Sequence, residues 1–339
     1  MEVSMLDQTQ LTEGQTAEEG FAGTVEAARL ADRLGYRRFW LSEHHSSDTI
    51  AGSSPEILAA HLLAKTETIR IGTGGVMLTH YAPYKVAENF RVMSALAPGR
   101  VDLGVGKAPG GTHLPTIALQ GGRALTDAKP RQKERFPEMV DELMEYLEEK
   151  LPESHPMSGY LEASPAVVQK PLPWILGTGP ASALLAAERG LPYAFARFIN
   201  AERDEMRETI GLYRKNFRPS SFTENPYVVL ASRVFAAGTD DEAEWIARSA
   251  AHVQFGFHRG IQGRLTDPSE ALAGSMTEKE KQEVRDILST YLIGSKETIG
   301  REMDNLSGLG VDELMALTPV FSPERNRHSM AVLKEAAKG

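Results

Sequence analysis

The chain has 339 residues, 41% of them hydrophobic, and a formal net charge of −9. That is ample apolar material for one large α/β domain or two ordinary ones, while an acidic balance without a Lys/Arg cluster excludes the basic footprint of a nucleic-acid or anionic-membrane binder. With no cysteine, disulfides, thiolate catalysis and Cys-ligated metals are excluded, and no apolar run approaches the length of a membrane span.

Met1-Glu2-Val3-Ser4-Met5-Leu6-Asp7 lacks the basic region and apolar run of a signal peptide, so residues 3–6 read as strand one of a soluble, cytoplasmic protein. Thr16-Ala-Glu-Glu19 is a capping box. The helix it opens repeats apolar residues at Phe21, Val25, Ala28, Leu30 and Leu34, and Gly35 stops it as a left-handed cap. Residues 38–41 form strand two, which ends in Ser42-Glu43-His44-His45. Ser54-Pro55 opens helix two. Strand three is 69–72, and Gly72-Thr73-Gly74-Gly75-Val76-Met77 follows as a glycine-rich strand end. Pro83 opens helix three, which runs to about 96, and 101–105 is strand four.

The regular beat is lost over 107–165, although Phe136, Met139, Val140, Leu143, Met144 and Leu147 give helical periodicity within it. Strand five is 173–176. Gly177-Thr178-Gly179-Pro180 leads into a helix over 181–189 that Gly190 stops, and strand six is 193–195. A charged helix covers 200–217 and strand seven 227–236. Thr239-Asp-Asp-Glu242 and Thr277-Glu-Lys-Glu280 are two more capping boxes, on either side of an irregular stretch over 256–275. Ser295 opens a further helix, 313–318 is strand eight, and a last helix starts at Pro323.

Eight strand–helix alternations without a composition break demand a parallel sheet. At this length they predict a single (β/α)8 TIM barrel over 1–339, with insertions after strand four and after strand seven. In that architecture chemistry sits at the carboxyl ends of the strands. Glu43, His44 and His45, then Gly74 and Gly75, then Lys107, then Gly177, Thr178 and Gly179 all fall at such ends.

The plain alternative for the histidine pair is a turn cap and an exposed side chain, but four strand ends converging on one face favour a site. Two adjacent glycines open a backbone path closed to residues with a Cβ, and a flat ring could lie against it. Lys107 supplies a cation in a glycine-rich loop that matches neither the dinucleotide fingerprint nor the P-loop. Gly177-Thr178-Gly179 before a helix offers unpaired N–H groups to a phosphate. The histidine spacings give no metal-ligand motif, and no Gly-x-Ser-x-Gly elbow points to a hydrolase.

The stretches Trp40-Leu-Ser-Glu-His-His45, Ile71-Gly-Thr-Gly-Gly-Val-Met77, Pro83-Tyr-Lys-Val-Ala-Glu88, Pro98-Gly-Arg-Val-Asp-Leu-Gly-Val-Gly106, Pro173-Trp-Ile-Leu-Gly-Thr178, Gly190-Leu-Pro-Tyr-Ala-Phe-Ala196 and Asp312-Glu-Leu-Met315, in this order across the chain, resemble the bacterial luciferase-like flavin monooxygenases, in particular their single-chain, non-luminescent members. The resemblance implies reduced FMN delivered by a separate NAD(P)H:flavin reductase. It implies reaction with O2 through a peroxyflavin, and oxygenation of a small organic substrate.

It also assigns roles. His44 matches the catalytic histidine, with Glu43 and His45 as orienting neighbours. Gly74-Gly75 matches a non-prolyl cis peptide beneath the ring, and Thr178 and Gly179 match the phosphate turn. Lys107 stands where relatives carry arginine, keeping the charge without the bidentate fork. A homodimer is implied too; the apolar surface of helices two and three (Ile57, Leu58, Leu62, Val86, Phe90) is the expected interface, the alternative being that those residues face the barrel. The alternatives are a deazaflavin-dependent oxidoreductase and a non-catalytic flavin-binding relative.

Overall fold

The computed structural model describes residues 1–121, 133–149, 151–271 and 276–338. Eight parallel strands close into a barrel: β1 (Glu2–Asp7), β2 (Arg38–Leu41), β3 (Arg70–Met77), β4 (Val101–Gly106), β5 (Leu172–Gly177), β6 (Tyr193–Ala196), β7 (Val228–Ala236) and, after a ninth short strand β8 (Leu292–Gly294), β9 (Glu313–Leu317). β9 pairs with both β1 and β7, and β6 pairs with β7, so no edge is left open. Helices α1 (Ala17–Leu34), α2 (Pro55–Leu63), α3 (Pro83–Leu96), α5 (Phe136–Glu148), α6 (Pro180–Glu188), α7 (Arg203–Asn216), α11 (Lys296–Gly308) and α12 (Pro323–Ala336) surround it. The (β/α)8 barrel expected from the alternation is therefore present. Among the described residues no helix is long and apolar enough to cross a membrane.

The local signals act as their chemistry requires. Thr16 and Glu19 form a reciprocal capping box on α1, and Gly35 ends that helix at φ 77°. Thr277 and Glu280 do the same for α10 (Glu278–Ser289). At α8 (Asp240–Phe257) Thr239 accepts from the Glu242 N–H.

Differences occur where the sequence punctuates misleadingly. β3 does not stop before its glycines but runs through them to Met77, with a register shift between Gly74 and Val76. A short helix α4 (His113–Leu119) lies inside the first stretch read as irregular, the strand β8 lies unexpected between the helix capped at Thr277 and the one opened at Ser295, and α8 carries on to Phe257 before α9 (Pro268–Ala271). Part of the first excursion, 122–132, lies outside the described residues. The expected interface also needs correction. Leu62, Val86 and Phe90 are 0%, 5% and 1% exposed, packed in the core between helices and barrel, and only Ile57 stands out to solvent.

Alternation along each strand builds two layers. Outward residues such as Met5, Phe39, Ile71, Leu103, Ile175 and Leu230 pack against the helices in the main core. Inward residues fill the barrel, where Leu6, Trp40, Trp174, Val229, Met315 and Leu317 form a separate apolar cluster. Below it the inward row is ionic. Arg38 donates from Nε and Nη2 to Glu313 at 2.8 and 2.9 Å and from Nη1 to Asp102 at 2.8 Å. Arg70 and the Trp40 indole N–H also donate to Asp102, and Ser4 and Tyr227 donate to Glu313. Burial alone would raise the Asp102 carboxyl, but Arg38 and Arg70 hold it below the usual range.

Candidate active site

The end of β2 keeps the inward–outward alternation after the strand stops. Trp40 faces the interior cluster and Leu41 the helix-side core. Ser42 and His44 then share one side, the Ser42 hydroxyl lying 3.1 Å from His44 Nδ1. Glu43 takes the other. Its Oε2 accepts from the Met77 N–H at 2.9 Å, while Oε1 accepts from the Tyr81 hydroxyl at 2.8 Å and meets His45 Nε2 at 2.7 Å.

The three neighbours read together in the sequence are thus separated. His44 belongs to the barrel mouth. Glu43, 0% exposed, and His45 lie in the wall behind it, fastening the β2 end to the segment that leads from β3 into α3. The His45 backbone N–H is held by the Gly110 carbonyl, and His80 packs edge-on to the His45 ring while donating to the Pro109 carbonyl. Tyr81 and Ser42 were not recognisable as site residues, because neither belongs to a spacing pattern. Ser42 could have been found from its parity with His44 on an extended strand end.

Electrostatics set the form in which His44 works. Burial, reinforced by the neighbouring His45, lowers its pKa from 6.5 to about 4, so the ring is neutral at physiological pH. Among the described residues the Ser42 side chain forms no other hydrogen bond, and Ser42 is only 5% exposed. A buried hydroxyl left without an acceptor costs about 1–3 kcal/mol. Ser42 therefore donates to Nδ1, which puts the ring proton on Nε2 and turns an N–H donor towards the mouth.

Proton linkage follows with a definite sign. The folded-state pKa lies below the unfolded value, so the unfolded chain takes up this proton first, and the stability contributed at this position falls as pH drops from 6.5 towards 4. Nitrogen-15 spectra of histidine-labelled protein are expected to show His44 as the Nε2–H tautomer at pH 7, titrating near pH 4. A midpoint near 6.5 would contradict the assignment.

Opposite features line the mouth from β3, β4 and β5. The Gly74–Gly75 peptide bond is cis. A Cβ at Gly74 would lie 2.9 Å from Leu6, one at Gly75 would lie 2.4 Å from the Gly104 carbonyl, and one at Gly104 would lie 2.1 Å from the Thr73 carbonyl. These glycines are therefore required by the barrel's own packing.

Lys107, one residue beyond β4, is exposed, and no ion pair or hydrogen bond engages its side chain among the described residues. Gly177 ends β5, and its missing side chain is taken up by Ser182 of α6. Gly179 caps α6, with Pro180 at the first helical position, so the N–H groups of Ala181 and Ser182 fall outside the helical ladder. Asn200 holds this turn through the Thr178 carbonyl at 3.0 Å. These features are ones that a flavin cofactor could use. A backbone without Cβ atoms admits a flat ring, and a helix amino terminus with a free lysine on the neighbouring strand admits a phosphate. Glu205 Oε1 lies 3.4 Å from where a Gly179 Cβ would be, so a phosphate at this turn requires that carboxylate to swing away.

Comparison with known proteins gives the family and the fold. Residues 1–313 match the family described as luciferase-like monooxygenase. The N-acetyl-S-alkylcysteine monooxygenase of Bacillus subtilis (strain 168) is 38% identical over 337 residues, 98% of this chain and 97% of that protein. The crystal structure of apo-MsnO8 superposes with a TM-score of 0.87 at 32% identity, covering 99% of this chain and 98% of the other. The oxygenating constituent of 3,6-diketocamphane monooxygenase from the CAM plasmid of Pseudomonas putida, solved with FMN, shares the fold at a TM-score of 0.74 and 19% identity, covering 100% and 98%.

Proposed function

The chain belongs to the luciferase-like monooxygenase family, and from that premise we propose that it uses reduced FMN, delivered by a separate NAD(P)H:flavin reductase, and O2 to oxygenate a small organic substrate. The observation that carries this reading is His44, a neutral N–H donor on the inner face of the β2 end, in the same mouth as Gly74, Gly75 and Gly104. When bound, the flavin supplies the oxygen activation.

The chain's own residues hold and shield it. Gly74 and Gly75 support the ring. Thr178, Gly179 and the first turn of α6 bind the phosphate, with Lys107 supplying positive charge. His44 offers one hydrogen bond to the reacting end, positioned by Ser42 on its own face and by the Glu43–His45–Tyr81 bracket behind. A thioether is the first substrate class to test, since the relative from Bacillus subtilis is named for S-alkylcysteines. A homodimer would cover the exposed Ile57 of α2 and Val92 and Leu96 of α3, which are 70%, 46% and 73% exposed.

The test is anaerobic titration with reduced FMN followed by stopped-flow mixing with oxygenated buffer. Reoxidation at least tenfold slower than that of free reduced FMN is the expected result. Reoxidation at the free rate, or binding of a deazaflavin in place of FMN, would overturn the proposal.

A further inference from the structure

Arg233 ends the inward row of β7. Val229 and Ala231 belong to the apolar cluster inside the barrel, so two residues further along the same strand Arg233 projects into the mouth. Its Nη1 donates to the Phe198 carbonyl at 3.2 Å and its Nη2 to Gln254 Oε1 at 2.9 Å. Its Cζ lies 5.4 Å from the Tyr291 ring centroid. All three partners are neutral, and no carboxylate pairs with this half-buried cation among the described residues.

Burying a charge without a counter-ion is unfavourable, so a cation held between the loop after β6 and the last turn of α8 in this way is set up for an anion from outside the chain. Two further observations describe that anion's owner. Tyr291 is 6% exposed, yet its hydroxyl has no hydrogen-bond partner among the described residues, which leaves an unused donor on the residue beneath the guanidinium. Ile199, next to Phe198, and Phe257, three residues beyond Gln254 on α8, are 67% and 65% exposed, so each anchoring segment carries a bare apolar side chain.

We propose that Arg233 is an anion subsite of the substrate pocket, and that the substrate carries a carboxylate attached to an apolar body. The monooxygenase reading enters only in calling this ligand the substrate. A phosphate from the cofactor is the competing source of negative charge. The helix terminus at Gly179 and Lys107 already serve it on β5 and β4, whereas Arg233 lies beyond β6 on the side where β7 meets β9.

The experiment measures binding rather than turnover. Flavin-free protein is titrated by calorimetry with N-acetyl-S-benzylcysteine and with its carboxamide, which differ only in the charged group. Wild type is expected to bind the acid at least tenfold more tightly than the amide. Arg233→Gln is expected to reduce that preference to twofold or less while FMN affinity stays within twofold. Equal affinity of the wild type for acid and amide, or no binding of either, overturns the proposal without recourse to a variant. So does a preference that survives in Arg233→Gln. A tenfold loss of FMN affinity in the variant overturns it by assigning the guanidinium to the cofactor phosphate. None of these outcomes depends on oxygen transfer, so failure of the monooxygenase reading would be seen separately in the stopped-flow experiment.

Discussion

His44→Ala is expected to lower turnover by about 10²- to 10⁴-fold, the range ascribed to a positioned proton donor or acceptor, while leaving the unfolding transition nearly unchanged. The structure gives a reason for both halves. Among the described residues the His44 ring makes one side-chain hydrogen bond, to Ser42, and its backbone N–H bond to the Gly52 carbonyl survives the substitution. Little of the fold depends on the imidazole.

Glu43→Gln should behave in the opposite way. That carboxylate ties together His45, Tyr81 and the Met77 amide in a site closed to solvent, and loss of its charge loosens the wall behind the mouth. Steady-state rates and urea unfolding on the two variants therefore separate chemistry from support. Unchanged turnover in His44→Ala would remove His44 from the catalytic centre.

Arg38→Met should cost about 3–5 kcal/mol of stability, as expected when one partner of a buried ionic network is removed and the others keep their charge. Glu313 would lose both donor nitrogens of its fork, and Asp102 would keep Arg70 and the Trp40 indole. The guanidinium also lies 4.6 Å from the Trp174 ring centroid, so the variant forfeits a stacked contact as well. The urea midpoint reads the loss. Pairing the change with Glu313→Gln should recover part of it, because the stranded charge goes too. An unaltered midpoint in Arg38→Met would show that the floor of the barrel contributes nothing net.

The elements that could be read from the sequence are those whose signals are local. Arg38–Leu41 has the same bounds as expected, and Thr16, Gly35, Thr277 and Ser295 each sit at the helix end their side chain or lack of one specifies. β3 was cut short because glycine ordinarily breaks strands. Here Gly72 is demanded by the Asp102 side chain packed across from it, and that contact lies on another strand. β8 is three residues long, too short for periodicity to register. The strand ends that form the mouth followed from barrel topology, but the sorting of Glu43 and His45 away from His44 depends on Met77 and Tyr81, distant partners that nothing near residues 42–45 reveals. Leu62, Val86 and Phe90 show the same limit, since an apolar helix face does not say whether barrel or solvent lies against it.

The divided pairing of β7 has a consequence for how this protein can change. Its lower half, Val229 to Arg233, is stitched to β9, and its upper half, Val234 to Ala236, is stitched to β8. Above that division Phe235, Ile246, Leu265, Ile287, Tyr291 and Val320 make an apolar cluster apart from the one that closes the barrel. The stretch from α8 to Tyr291 thus behaves as a cassette with its own apolar filling, while α11 after it packs in the main core and the chain re-enters the barrel at Glu313 in fixed register. Descendants can lengthen, shorten or exchange that cassette and so alter the groups around the mouth, with no need to redesign the eight-stranded frame that holds His44.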